Sequence, residues 1–308
     1  MTGAARWLLR RVAHVVVVLG GAATLSFIAL ELIPGDPARV LVGGAPATPQ
    51  ALALIRHEMG LDLPLPVRFL RHLDRLAHFD LGRSYQLQKP VAQVVGEQLW
   101  PTAQLALAAS ALALAATLLV TTTTAGRSRV VRAACQAFEL LAASMPTFWT
   151  GILLLSVFSF GLRWFPVSAA HPAGLVLPAV ALALPVTGVL CQVLREATEE
   201  VLVQPFVTTA RTRGVTEWAV RTRHVLRHTL VPLVTMSGWT LGTLLGGAVV
   251  VETVFARPGL GRVTLAAVNG RDFPVVTAVV MLSALVFVVI NLVTDALYLV
   301  VDPRLRGA

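Results

Sequence analysis

Six stretches of this sequence carry no Asp, Glu, Lys or Arg for 19 residues or more: 12–30, 98–126, 140–162, 164–194, 229–251 and 273–294. A helix rises about 1.5 Å per residue and the hydrocarbon core of a bilayer is about 30 Å thick, so each is long enough to span it. The sequence therefore predicts an all-α integral membrane protein with six transmembrane helices. Composition agrees: 56 % of the 308 residues are hydrophobic and 13 % are charged. A water-soluble domain carries about 25 % charged residues.

The N-terminal arginines followed by an apolar run resemble a signal peptide. The run is long enough to span, however, and the following Glu31–Pro37 sequence ELIPGDP offers no small-residue cleavage site, so it is expected to stay as the first span. The net charge of +9 is almost all arginine, with Lys89 the one lysine. Such a balance can mark a nucleic-acid binder, but cytoplasmic loops of membrane proteins also collect arginine. Arg6, Arg10 and Arg11, then Arg127, Arg129 and Arg132, then the stretch 206–228, then Arg304 and Arg306 fall on one side. Both termini and that stretch are thus expected in the cytoplasm, with no nucleic-acid partner. Cys135 and Cys191 form no disulfide framework.

The outer segment 34–97 has its own helical patterning. Thr48 is placed to cap a helix with Pro49 in its first turn and Gly60 as its stop. Val67, Leu70, Leu73 and Leu76 recur at helical spacing with Arg68, Arg71 and Arg75 on other faces. Two short amphipathic helices are expected, lying on the membrane or against the spans. His57, His72 and His78 match no metal-site spacing, so no metal ligands are assigned.

Chemistry is sparse. The lysine sits in LQKPV and cannot serve a Walker A loop, and neither an HExxH nor a GxSxG motif is present. No catalytic residue is assigned, and no cofactor is expected on this chain. Glu31, Glu139 and Asp295 fall near span ends rather than forming a midplane relay, so the chain lacks the buried titratable path of an ion-coupled pump. Pro146 and Pro185 are expected to kink the third and fourth spans, either lining a pathway or serving packing.

A transport subunit without its own energy source needs a cytoplasmic contact, and the stretch FVTTARTRGVTEWAVRTRHVLRH at 206–228 is the largest such surface. Phe206, Val207 and Ala210 give a short helix an apolar side, Arg211 and Arg213 project elsewhere, and Gly214 ends it. Thr216 can then cap a second helix, with Glu217 in its first turn and Trp218 following. Attraction to anionic lipid would account for the arginines but not for the glycine break.

This stretch resembles the cytoplasmic coupling motif of ABC importer permeases, with Thr208, Thr209 and Ala210 at the EAA positions and Gly214 at the glycine. The alanine and the glycine match. Elsewhere LIPGDPARVLVGG at 32–44, MGLDLPLPVRFLRHL at 59–73 and FDLGRSY at 79–85 are similar to the N-terminal segment of the dipeptide/oligopeptide/nickel branch. So are ASMPTFWTGILLLSVFS at 143–159, LPAVALALPVTG at 177–188, VETVFARPGLGRVTLAAVNGRDFPVV at 251–276 and NLVTDALYLVVDPRLR at 291–306. The matches follow the branch's order along nearly the whole chain.

The resemblance implies a type I importer permease in the bacterial inner membrane, paired with a second homologous permease, one or two ATPase subunits and an extracytoplasmic substrate-binding protein. ATP and Mg would sit on the ATPases. Residues 206–213 would be the coupling helix, and a loop containing Glu252, Pro258, Gly259, Gly261, Arg271 and Asp272 would face the binding protein or serve a structural turn. The implied division is 1–33, cytoplasmic N-terminus and first span; 34–97, outer helical segment; 98–301, five-helix core with coupling loop 195–228; and 302–308, cytoplasmic tail. Short peptides are the expected cargo, with nickel, glutathione or haem as alternatives. An autonomous channel or secondary transporter is the rival of a different class.

Overall fold

The computed structural model describes residues 3–32, 34–42, 48–167 and 172–301. The chain divides into two compact units, one of residues 1–100 with 259–289 and one of 101–258 with 290–308.

In the first unit, α1 (Gly3–Leu32) is followed by the short helices α2 (Pro37–Val42), α3 (Pro49–Glu58) and α4 (Leu65–Ala77). The start of α5 (Val91–Thr124), α12 (Leu260–Asn269) and the first part of α13 (Phe273–Val301) complete it. The sequence signals for α3 act as expected: the Thr48 hydroxyl accepts from the Ala51 amide at 3.2 Å, and Gly60 takes a φ of 66° in the turn that follows. Leu30, Val91, Leu260, Val275 and Val279 contribute to the apolar core. Arg68 of α4 pairs with Glu31 of α1, and Phe27 lies 5.3 Å from Phe69, so the amphipathic helix is fastened to the span by charge and by rings.

The turn at 84–86 is tied to the start of α13 by one carboxylate. Asp272, 2 % exposed, accepts from the Ser84 hydroxyl and from the Tyr85 and Gln86 amides at 3.0 and 3.2 Å. The neighbouring Arg271 donates to the Pro34 carbonyl. Gly35 is required beside it: its φ is 115°, and a Cβ there would stand 2.7 Å from the guanidinium.

The second unit is centred on α8 (Val176–Leu202), preceded by a 3-10 turn, Pro172–Leu175. In its apolar window 61 % is buried, against 17 % for α1, which separates a central helix from one that keeps its surface for lipid. Leu182, Leu190 and Leu194 of α8 share a core with Leu105 of α5 and Leu244 of α11 (Leu226–Val254). Pro185 lies inside α8.

The third apolar stretch departs from expectation. It is not one straight span: α6 (Arg129–Ser144) and α7 (Thr147–Leu154, widening to a π turn over Leu155–Gly161) meet at a bend of 101°. Pro146 caps α7 instead of kinking a continuous helix. The cause is local, because a residue before proline avoids the helical region, and Met145 is extended with ψ 124°. The fourth stretch also starts late, since 164–167 are not helical. Among the described residues four helices are long and apolar enough to cross a membrane, or five if the bent pair counts as one; the fifth predicted stretch, 229–251, lies within the single helix Leu226–Val254.

Glu139 lies in α6 rather than at a span end. It is 1 % exposed and accepts from Arg195 of α8 at 2.7 and 2.5 Å, while Arg195 also donates to Thr124 at 3.1 Å. Such a pair is costly to desolvate and costlier still to break by removing one partner. Gly188 lets the helices approach closely, as small residues do between membrane helices. A Cβ there would stand 2.6 Å from the Ala143 amide nitrogen and 2.7 Å from the Glu139 carbonyl oxygen.

A candidate coupling site

The basic stretch folds into a glycine-stopped helix followed by a capped one. Gln204 is extended at the N-cap, and Pro205 opens α9 (Pro205–Thr212) with its fixed φ. Arg213 caps the C-terminus, and Gly214 reverses the chain at φ 79°. The Val215 amide bonds back to Ala210 at 3.2 Å and the Gly214 amide to Arg211 at 2.9 Å, closing the carbonyls that a helix end leaves open. Nothing lies within 4 Å of a Cβ built on Gly214, so glycine is needed there for its backbone angle and not for space.

Thr216 then accepts from the Ala219 amide at 3.4 Å and opens α10 (Glu217–Ala219). This passes through a π-helical turn, Val220–Val225, into α11, which continues through Pro232. Glu217 accepts from Arg211 at 2.7 and 3.3 Å across the glycine turn, bracing the two helices. That hydrogen bond, with Arg211's charge, holds the Glu217 carboxyl below its ordinary range.

The apolar side of α9 turns inward. Val207 is fully buried and Ala210 is 8 % exposed, packed with Ala125, Leu202, Val220 and Val225. Phe206 stays half open, its ring 5.0 Å from that of His228. The outward surface is thus Phe206, Thr208, Thr209, Arg211, Arg213 and Trp218. Sequence reasoning missed Arg221, which is 8 % exposed and donates to the Thr122 and Thr123 carbonyls at the C-terminus of α5, each at 3.3 Å. Its position four residues after Glu217 was the available signal.

The predicted outer-loop residues fall in both compact units. In the second, Glu252 is fully buried and accepts from Thr102 at 2.5 Å, Arg257 donates to Gln104 at 3.3 Å, and Pro258 is exposed. In the first, Gly259 and Gly261 are buried at the start of α12, and Arg271 and Asp272 make the ties to Pro34 and to 84–86. Buried Glu252 and Asp272 therefore hold structure within their own units. The bend at Pro146 is exposed, while Pro185 is half-buried.

A multi-span helical membrane protein with a braced, glycine-stopped basic helix pair defines a class of transport subunit, and its relatives specify which. Residues 115–307 match the binding-protein-dependent transport system inner membrane component, and residues 4–106 match the N-terminal part of the binding-protein-dependent transport system membrane component. The chain belongs to this family, as an ABC importer permease of the peptide/nickel branch. It is 39 % identical over 309 residues to a protein of Brucella abortus named as a peptide transport system permease, covering 97 % of this chain and 98 % of the relative. A Brucella melitensis protein of the same description matches to the same extent. The glutathione transport system permease protein GsiC of Salmonella typhimurium is 36 % identical over 302 residues, again covering 97 % and 98 %.

Proposed function

We propose that this chain is one of two permease subunits of an ATP-driven importer that carries short peptides across the bacterial inner membrane. The observation that carries this reading is the cytoplasmic handle: α9, stopped by Gly214, braced through Arg211–Glu217 and offering Phe206, Arg213 and Trp218 outward. An ATPase domain with a cleft for a short helix would hold it and supply ATP and Mg; a second permease would complete the pathway; a substrate-binding protein would deliver cargo from outside. The six-span topology with both termini cytoplasmic belongs to this reading, as does the division at 33, 97 and 301. Peptide cargo is supported by the names of the Brucella relatives. Glutathione, itself a tripeptide, is the second reading, supported by the name of the Salmonella relatives.

The test is reconstitution in liposomes with and without the ATPase partners. Uptake of a labelled dipeptide is expected only with partners and ATP. Robust uptake by the chain alone would overturn the reading in favour of an autonomous transporter.

A further inference from the structure

The first unit contains a cavity of about 500 Å³ that none of the chemistry above uses. It opens between the α3–α4 segment and the neighbouring ends of α1 and α13, with Phe27, Leu30 and Phe273 supplying an apolar wall. Its size falls within the range of small-molecule sites, about 300–1,000 Å³. Its lining is rich in charge of both signs. Arg68, Arg71 and Arg75 line it together with Glu31, Glu58, Asp74 and Asp80.

Most of these charges are not spent on each other. Arg68 is taken by Glu31. Among the described residues neither Arg71 nor Arg75 has an ion-pair partner, and Glu58 has none either. Asp80 accepts from the Gly82 amide at 2.9 Å and keeps an oxygen for another donor. Burial, helped by the Arg75 charge, pushes the His72 pKa down, and its ring lies 5.7 Å from that of Phe27. The cavity thus holds two guanidiniums without an ion-pair partner, with Glu58 and Asp80 likewise and Asp74 facing His78 at 3.6 Å, beside an apolar wall. An anionic phospholipid would meet the carboxylates as well as the arginines, so its phosphate gains little. A molecule with one carboxylate, one ammonium and an apolar body matches all three features.

We infer that this cavity binds a short zwitterionic peptide, with its terminal carboxylate on Arg71 and Arg75, its ammonium toward Glu58, Asp74 and Asp80, and a side chain against Phe27, Leu30 and Phe273. A guanidinium presents parallel N–H donors that fit a carboxylate, which gives the C-terminus its recognition. The ligand class rests on the peptide cargo proposed above, while the site itself is additional to any pathway through the membrane.

The test uses the full chain, assembled with its copurifying subunits in nanodiscs, and the photoreactive dipeptide alanyl-benzoylphenylalanine. Irradiation is expected to label residues within 57–85 or 273–278. Arg71→Gln with Arg75→Gln is expected to cut that labelling at least tenfold, as is amidating the probe's C-terminus. Leu61→Trp, which narrows the cavity without touching a charge, is expected to do the same at an unchanged melting temperature. Labelling that survives both variants, labelling by the amide equal to that by the free acid, or displacement of the probe by phosphatidylglycerol would overturn the inference. Uptake of the same dipeptide into proteoliposomes is measured in parallel. Uptake without cavity labelling removes this site and leaves the import reading, whereas labelling without uptake keeps the site and removes the peptide cargo.

Discussion

Gly188→Ala probes the packing of the second unit, because its cost can be worked from the geometry. The added methyl would stand 2.6 Å from the Ala143 nitrogen and 2.7 Å from the Glu139 oxygen, both backbone atoms that cannot rotate aside. Ordinary contact begins near 3.4 Å. Helices α6 and α8 must therefore part by roughly 0.7 Å, an overpacking that costs about 1–3 kcal/mol. The displacement also bears on Glu139 itself, whose bonds to Arg195 at 2.7 and 2.5 Å bridge the same two helices. Breaking such a buried pair outright costs about 3–5 kcal/mol, so partial loss places the total near the top of the overpacking range. Gly246→Ala is the matched control, since nothing lies within 4 Å of its Cβ position and alanine is the better helix former by about 0.5–1 kcal/mol. The assay is unfolding of the full chain in mixed micelles by rising denaturing detergent. Gly188→Ala is expected to be less stable by about 2–3 kcal/mol, roughly 30- to 150-fold in the unfolding equilibrium. Equal midpoints for the two variants would refute the close approach of α6 and α8.

Three further outcomes follow from other parts of the chain. Gly214→Val places a β-branched residue at φ 79° in open space, and a left-handed backbone costs about 1–2 kcal/mol for an ordinary residue, so α9 should fray; faster amide exchange across 206–213 checks it, with unchanged exchange counting against the turn. Asp272→Ala removes the acceptor of three bonds in a buried site; each bond to a charged group contributes about 1.5–3 kcal/mol, so at least ~2 kcal/mol should be lost, read as earlier proteolytic cutting near 84–86. Glu217 has a depressed carboxyl pKa, so its bond to Arg211 should be fully present above the ordinary glutamate pKa and lost as pH falls through the lower folded value; Glu217→Gln should remove that acid dependence from the exchange of 211–217, and an unaltered pH profile would refute the brace.

The sequence by itself determined the helical membrane class, the caps at Thr48 and Thr216, the stop at Gly214 and the pairing of a basic helix with a second one. These are decided by hydrophobic run length and by residues acting over a turn or less, which a one-dimensional pattern records. The tertiary structure decided what those patterns face. Val207 and Ala210 read in the sequence as the apolar side of the expected coupling helix, yet they fill the chain's own core beside Ala125 and Leu202. Glu139 and Arg195, 56 positions apart, become one buried ion pair where α6 and α8 meet closely at Gly188. Residues 259–289 join the N-terminal hundred rather than the segment before them, drawn in part by an Asp272 carboxylate that answers donors 186–188 positions away. Burying a charge demands a partner wherever the fold can supply one, and no local spacing rule says where that partner lies.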